Sequence, residues 1–189
     1  MILAFLRAEL DSPRWANSIL PALIRTGGFS RSQLFDEADL DDPRQDAVRR
    51  TILGAYRGYG ANNWLFRDFP DDVVWRRVAI DPTDHGRLMY ANSPPWVELS
   101  DGTRLVKRLA EKLVGAAIPP DPADHIRAVQ TTLKAGKKLP ELIAAEGSNG
   151  ALILIEGHCR ATAYVALGWK ENILVFLASS SSMHRWHWY

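Results

Sequence analysis

Residues 152–160 have the sequence LILIEGHCR, and this stretch decides the fold of the chain around it. Its four consecutive apolar residues, Leu152–Ile155, are typical of a strand that is covered on both faces. Gly157 follows closely and permits a tight turn, and the residues from Gly157 to Gly168 predict a helix. The order of strand, turn and helix places Glu156 at the carboxyl end of the strand, where the ligand sites of α/β sheets lie.

The segments on either side of this stretch predict a small α/β unit over residues 121–189. Ala116–Pro122 contains three prolines, which indicates a boundary between two parts of the chain. The order of the predicted elements is typical of the α+β and α/β fold classes. These elements are a helix from Asp121-Pro122 to about Gly136, strands at 142–145, 151–155 and 173–177, and a turn at 147–150.

Residues 1–115 predict a mostly helical region that packs on this core in one compact globule. Ser12-Pro13 and Asp42-Pro43 each combine a capping residue with a proline in the first helical turn. The first of these helical segments is expected to end at Gly27-Gly28, after an interruption at Pro21, and the second at Gly58.

The rest of the N-terminal region predicts short strands and one further helix. Residues 63–95 are apolar at many positions but are divided by prolines, so short strands are expected there. Ser100 predicts the N-cap of a helix from Asp101 to about Val114.

The composition is that of a globular protein. The 189 residues include 23 basic and 22 acidic side chains, a net charge of +1 that gives no general support for nucleic acid as a partner. A local basic surface at Lys134–Lys138 leaves nucleic-acid binding as an alternative. Cys159 is the only cysteine, so no intrachain disulfide can form. No apolar run approaches the length of a membrane helix, and the expected location is the cytoplasm, with no membrane partner.

The turn after Ile155 combines groups that suit an anionic ligand. The first turn of a helix presents unpaired backbone N–H groups, and Arg160 could add a bidentate contact to a phosphate. Beside such a site, Glu156 would coordinate a cation such as Mg²⁺ or act as a base, and His158 would handle a proton or bind a metal. The alternative is a purely structural turn, in which Arg160 forms a salt bridge with Glu156 and Cys159 lies in the core.

Residues 155–163, with the sequence IEGHCRATA, resemble the Gly-x-x-Arg turn of the ParB/sulfiredoxin superfamily. Residues 137–143 resemble the segment before the first core strand of that family. The resemblance implies a small mixed sheet with helices, preceded here by the mostly helical region. It also implies nucleotide phosphates bound at this turn, as in partition proteins that use CTP, sulfiredoxins that use ATP, a free-serine kinase and proteins described as nucleases.

Carried over residue by residue, the resemblance assigns roles to the turn. It implies that Gly157 and Arg160 bind phosphate, with His158 where many members have histidine and Glu156 in place of the commoner aspartate. We predict that Cys159 also lies at the phosphate-binding turn. We further predict that Glu156 and His158 act in phosphoryl transfer or phosphodiester cleavage, with Mg²⁺ on Glu156. The implied ligand is a nucleotide such as ATP or CTP. The catalytic cysteine of sulfiredoxins directly follows the turn glycine, where this chain has His158, so sulfiredoxin activity is not expected. The rival hypothesis is a non-catalytic module that senses a ligand or binds a protein partner.

Two further segments carry polar or aromatic groups of interest. Ser100, Thr103 and Arg104 could form a second phosphate-binding wall, or only the cap and first turn of a helix. Residues 184–189, with the sequence HRWHWY, could bind a metal or stack on a base, but an aromatic segment that folds onto the core is the favoured interpretation.

Overall fold

A computed structural model describes residues 1–10, 19, 28–113, 115 and 118–189 of the chain. The chain divides into two compact units, Met1–Asp71 and Asp72–Tyr189. The predicted helical segments that begin at Ser12-Pro13 lie outside the described residues. Among the described residues, no helix has both the length and the apolar character needed to cross a membrane.

The first unit contains helices α1, Ile2–Leu10, and α2, Pro43–Arg57, with a short π-helical turn at Ser32–Asp36. The predicted limits of α2 are confirmed. The side chain of Asp42 accepts a hydrogen bond from the backbone N–H of Arg44, and Gly58 ends the helix in the left-handed conformation, with φ of 82°.

The second unit is built on a five-stranded mixed sheet, which confirms the α+β class. The strands are β1, Val74–Ile80; β2, Leu88–Tyr90; β3, Leu142–Glu146; β4, Leu152–Glu156; and β5, Ile173–Ser179. Their order across the sheet is β1-β5-β3-β4-β2. The pairs β1–β5 and β3–β4 are antiparallel, whereas β3–β5 and β2–β4 are parallel.

Four helices accompany this sheet: α3, Pro94–Leu99; α4, Val106–Lys112; α5, Pro120–Lys134; and α6, His158–Ala166. Both α4 and α5 pack against α6. The main hydrophobic core joins one face of the sheet, including Leu88, Leu152 and Leu154, to these helices. All four residues of Leu152–Ile155 are buried, as expected for a strand covered on both faces.

The strands before and after the proline-rich segment belong to one sheet, because β1 and β2 pair with β5 and β4. One predicted helix differs from the structure. The prediction that this helix starts at Asp101 was wrong, since α4 begins at Val106. Pro94 starts α3 earlier, and Ser100 therefore follows the last turn of α3 instead of capping the next helix.

Candidate functional site

Gly157 forms a sharp turn between β4 and α6. Its φ of 96° lies in the left-handed region, and α6 begins at the next residue without a side-chain cap. A Cβ atom at this position would lie 2.6 Å from Cδ2 of Leu142 and 3.2 Å from Nη2 of Arg160. The turn therefore requires glycine both for its backbone conformation and for its close packing against β3.

Arg160 and Glu156 form an ion pair beside this turn. Nη2 of Arg160 donates to Oε2 of Glu156 and, at 3.2 Å, to the carbonyl oxygen of Glu141. The two charged side chains are largely buried, with exposed fractions of 11% for Arg160 and 18% for Glu156. Within the described part of the chain, Nε of Arg160 is buried without a hydrogen-bond partner. The salt bridge that the structural interpretation predicted is thus present, and it leaves part of the guanidinium unsatisfied.

A second arginine extends this network across the sheet. Arg77, on β1, donates from Nη2 to Glu141 at 2.7 Å and from Nε at 3.1 Å. Burial alone would raise the pKa of Glu141, but the hydrogen bond from Arg77 and the nearby charge of Arg160 hold that pKa below its usual value. Two arginines and two carboxylates therefore alternate near the turn, so the cluster as a whole carries little net charge.

His158 belongs to a group of stacked rings. The imidazole lies 4.8 Å from the Trp96 ring, with 17° between the ring planes, and 5.8 Å from the Tyr90 ring, with 9° between the planes. Trp96 also stacks on Tyr90 at 4.9 Å. This packing fixes the imidazole at the start of α6. Cys159 is half-buried and packs against the hydrophobic core, as the structural interpretation predicted.

The hydroxyl groups of Ser100 and Thr103 donate hydrogen bonds to backbone carbonyl oxygens close to them in the chain. Ser100 is fully buried, and its Oγ donates to the carbonyl oxygen of Trp96 at 2.7 Å. Oγ1 of Thr103 donates to the carbonyl oxygen of Ser100 at 2.7 Å. Arg104 donates from Nε to the carbonyl oxygen of Tyr90 at 2.9 Å. The structure therefore brings Glu156, Gly157 and Arg160 together but engages the two predicted hydroxyls in backbone contacts.

A surface cleft of about 370 Å³ was not anticipated from the sequence. Its sequence signal is weak, because the lining residues come from four separate segments of the second unit. The lining residues are Gly86, Arg87, Met89, Arg104, Leu105, Ser148, Asn149, Ala151, Ile153 and Tyr189.

The described residues contain no group of three or more His, Cys, Asp or Glu side chains arranged to hold a metal ion. The turn itself offers one carboxylate, that of Glu156. Mg²⁺ in nucleotide sites is commonly held by one or two carboxylates together with phosphate oxygens, so this donor fits only a Mg²⁺ ion that arrives with a phosphate ligand. In the C-terminal segment, Trp186 is buried while His184 and His187 are exposed, which confirms that this segment folds onto the core.

Comparison with protein-family models, with curated proteins and with solved structures gave no match for this chain. The function is therefore inferred from the geometry of the Gly157 turn and from the resemblance of its sequence.

Proposed function

We propose that the protein is a ParB/sulfiredoxin-like domain that binds a nucleotide or a similar phosphate ligand at the Gly157 turn. The observation that carries this proposal is the uncapped start of α6 next to Arg160, whose buried Nε has no hydrogen-bond partner among the described residues. Helix starts of this kind bind phosphate through backbone N–H groups and the helix dipole. The mixed sheet with helices in the second unit fits the small mixed sheet that the resemblance implies.

In this proposal, ligand binding rearranges the Arg160 ion pair. The phosphate accepts hydrogen bonds from the backbone N–H groups in the first turn of α6 and from Arg160. Arg160 then gives up part of its ion pair with the carboxylate of Glu156. Glu156 then serves as a base toward a hydroxyl or holds Mg²⁺ together with phosphate oxygens, and the ion would neutralise phosphate charge. His158 stays fixed by its stack with Trp96 and borders the ligand. The expected reaction class is phosphoryl transfer or phosphodiester cleavage, in the cytoplasm.

The ion pair itself favours a second candidate, a non-catalytic ligand sensor. A carboxylate that is engaged by a buried guanidinium is less available as a base than a free one. In a sensor, the exchange of Glu156 for a phosphate on Arg160 would be the whole response to the ligand.

Binding is tested by thermal shift and calorimetry with ATP and CTP, each with and without Mg²⁺. A ligand at 100 times its dissociation constant should stabilise the wild-type protein by about 2.7 kcal/mol. Arg160→Gln removes a charge-assisted contact and should weaken binding by about tenfold or more. The matched control is Arg127→Gln, because Arg127 forms an exposed ion pair with Asp124 at 3.2 Å on α5 and should not affect binding.

Removal of Arg160 alone leaves Glu156 without its partner, so the double variant Arg160→Gln/Glu156→Gln is included to keep the turn neutral and folded. If neither nucleotide stabilises the wild-type protein, or if the double variant binds as tightly as the wild type, the proposal is wrong. Glu156→Gln separates the two candidates. An enzyme loses product formation in this variant while it retains binding, whereas a sensor forms no product even as the wild-type protein.

A further inference from the structure

The surface cleft in the second unit lies on a different face of the sheet from α6. Leu88 and Leu152 belong to the core beneath the helices. Met89 and Ile153, the next residues along β2 and β4, are paired in register and both line the cleft. Because successive side chains of a strand point to opposite faces, the cleft and the helical core lie on opposite sides of the sheet. A ligand in this cleft would therefore be distinct from one bound at the Gly157 turn.

The charged side chains in the lining of the cleft are basic. Its lining contains two arginines, Arg87 and Arg104, and no acidic residue. Arg87 is half-exposed and donates from Nε to the carbonyl oxygen of Gly150 at 2.6 Å, and it also pairs with Asp84, which lies outside the lining. Such a surface favours a negatively charged group on the ligand.

The guanidinium of Arg104 has one nitrogen, Nη2, that makes no hydrogen bond within the described part of the chain. Its Nε donates to the carbonyl oxygen of Tyr90 at 2.9 Å, and its Nη1 donates to a backbone oxygen of Tyr189 at 3.1 Å. Among the described residues, its Nη2 is buried with no hydrogen-bond partner. A buried charged donor without an acceptor is costly, and an oxyanion in the cleft would offset this cost after a small shift of the side chain.

Much of the remaining lining of the cleft is apolar. Met89, Ile153 and the half-exposed Leu105 contribute hydrocarbon surface. The ring of Tyr189 is held by a hydrogen bond of 2.6 Å from the backbone N–H of Ser148 to its hydroxyl. A volume of about 370 Å³ is within the range of small-molecule sites, which combine an apolar lining with a few polar groups.

The backbone of the lining is strained at Arg104. Arg104 has φ of 60°, a left-handed conformation that is unusual for a residue other than glycine, asparagine or aspartate. Strain of this kind persists where the surrounding structure holds it, and it is found at ligand sites. Here it directs the Arg104 side chain to the edge of β2.

From these observations we infer that the cleft binds a small molecule with an oxyanion group, carboxylate or phosphate, on an apolar body. The oxyanion contacts Arg104 and Arg87, and the apolar body lies against Met89, Leu105 and Ile153. This site is independent of the proposed nucleotide site.

The test uses calorimetry with three probes: 4-phenylbutyrate, phenyl phosphate and the neutral alcohol 4-phenylbutanol. We expect at least one anionic probe to bind the wild-type protein, with the neutral alcohol at least tenfold weaker. The anion that binds identifies the carboxylate or the phosphate as the preferred group. Arg104→Gln and Arg87→Gln should each weaken that binding by about tenfold, whereas Arg127→Gln should not. Saturation with a nucleotide should leave the affinity for the probe unchanged.

Arg104 also joins loops through its hydrogen bonds, so its variant could lose stability, and urea unfolding of each variant is measured in parallel. Arg87 is half-exposed, and its variant is expected to stay folded. The inference is overturned if no anionic probe binds at millimolar concentration, if the neutral alcohol binds equally well, or if a folded Arg87→Gln protein keeps full affinity. Competition between the probe and a nucleotide would show a single shared site and would also refute the inference.

Discussion

Replacement of Gly157 by alanine tests the close packing of the turn that precedes α6. At φ of 96° a residue with a Cβ atom costs about 1–2 kcal/mol in backbone strain. The added Cβ would lie 2.6 Å from Cδ2 of Leu142, which is fully buried on β3. Overpacking of a core typically costs about 1–3 kcal/mol more. We therefore expect a loss of about 2–5 kcal/mol in the free energy of unfolding, and a decrease in Tm of roughly 4–20 °C.

The matched control is Gly168→Ala. Gly168 also has a positive φ, 58°, but no heavy atom lies within 4 Å of the position of its Cβ. This variant should show only the backbone strain of about 1–2 kcal/mol. Both variants are measured by urea unfolding, together with Leu142→Ala and the double variant Gly157→Ala/Leu142→Ala. The double variant should lose less stability than the sum of its parts, since the overlap is relieved. If Gly157→Ala costs no more than Gly168→Ala, the described contact with Leu142 is refuted.

Three further predictions concern buried polar and aromatic groups. The Tyr90 hydroxyl lies 2.6 Å from Oγ1 of Thr162 in the core, and Thr162→Val should lower the free energy of unfolding in urea by about 1–3 kcal/mol because it removes this partner. Addition of Tyr90→Phe should recover part of this loss. Strictly additive losses in the double variant would contradict the hydrogen bond. Trp96→Leu removes the stack on His158 and should cost about 0.5–1.5 kcal/mol more than Trp96→Phe; equal losses would exclude stacking as the cause. Burial holds the pKa of His85 below its usual value. The unfolded state therefore binds a proton first as the pH falls, and stability should decrease below about pH 6.5, the ordinary pKa of histidine. His85→Gln should flatten this part of the pH profile, and an unchanged profile would rule out His85 as its source.

The central elements of the second unit were predictable because their signals are local. The apolar run Leu152–Ile155 and the following Gly157 predict a buried strand and the start of a helix from neighbouring residues alone. Strand pairing is different, since β2 was expected only as one of several short strands and its parallel partner β4 lies far along the chain. No local pattern contains that information.

The candidate site shows the same division between local and non-local information. The pair of Glu156 and Arg160 was predictable because the two residues lie four positions apart on one turn. The hydrogen bond from Arg160 to Glu141 and the stack of Trp96 on His158 depend on tertiary packing. The loop at Asp101–Arg104 was mistaken for a helix, because two of its three left-handed conformations occur at non-glycine residues, Asp101 and Arg104, that the helical pattern does not distinguish.

The position of β5 between β1 and β3 has a consequence for how the protein is made. Val74, near the start of the second unit, pairs with Ser179, near its end. On the ribosome, β1 emerges long before β5 and lacks its only neighbour in the sheet until β5 has been synthesised, while β3 lacks one of its two neighbours. Such long-range pairing slows folding and exposes strand edges to other chains. Nascent chains stalled before residue 173 should therefore be sensitive to aggregation and proteolysis, and release of β5 from the ribosome is the event that commits this unit to its native state.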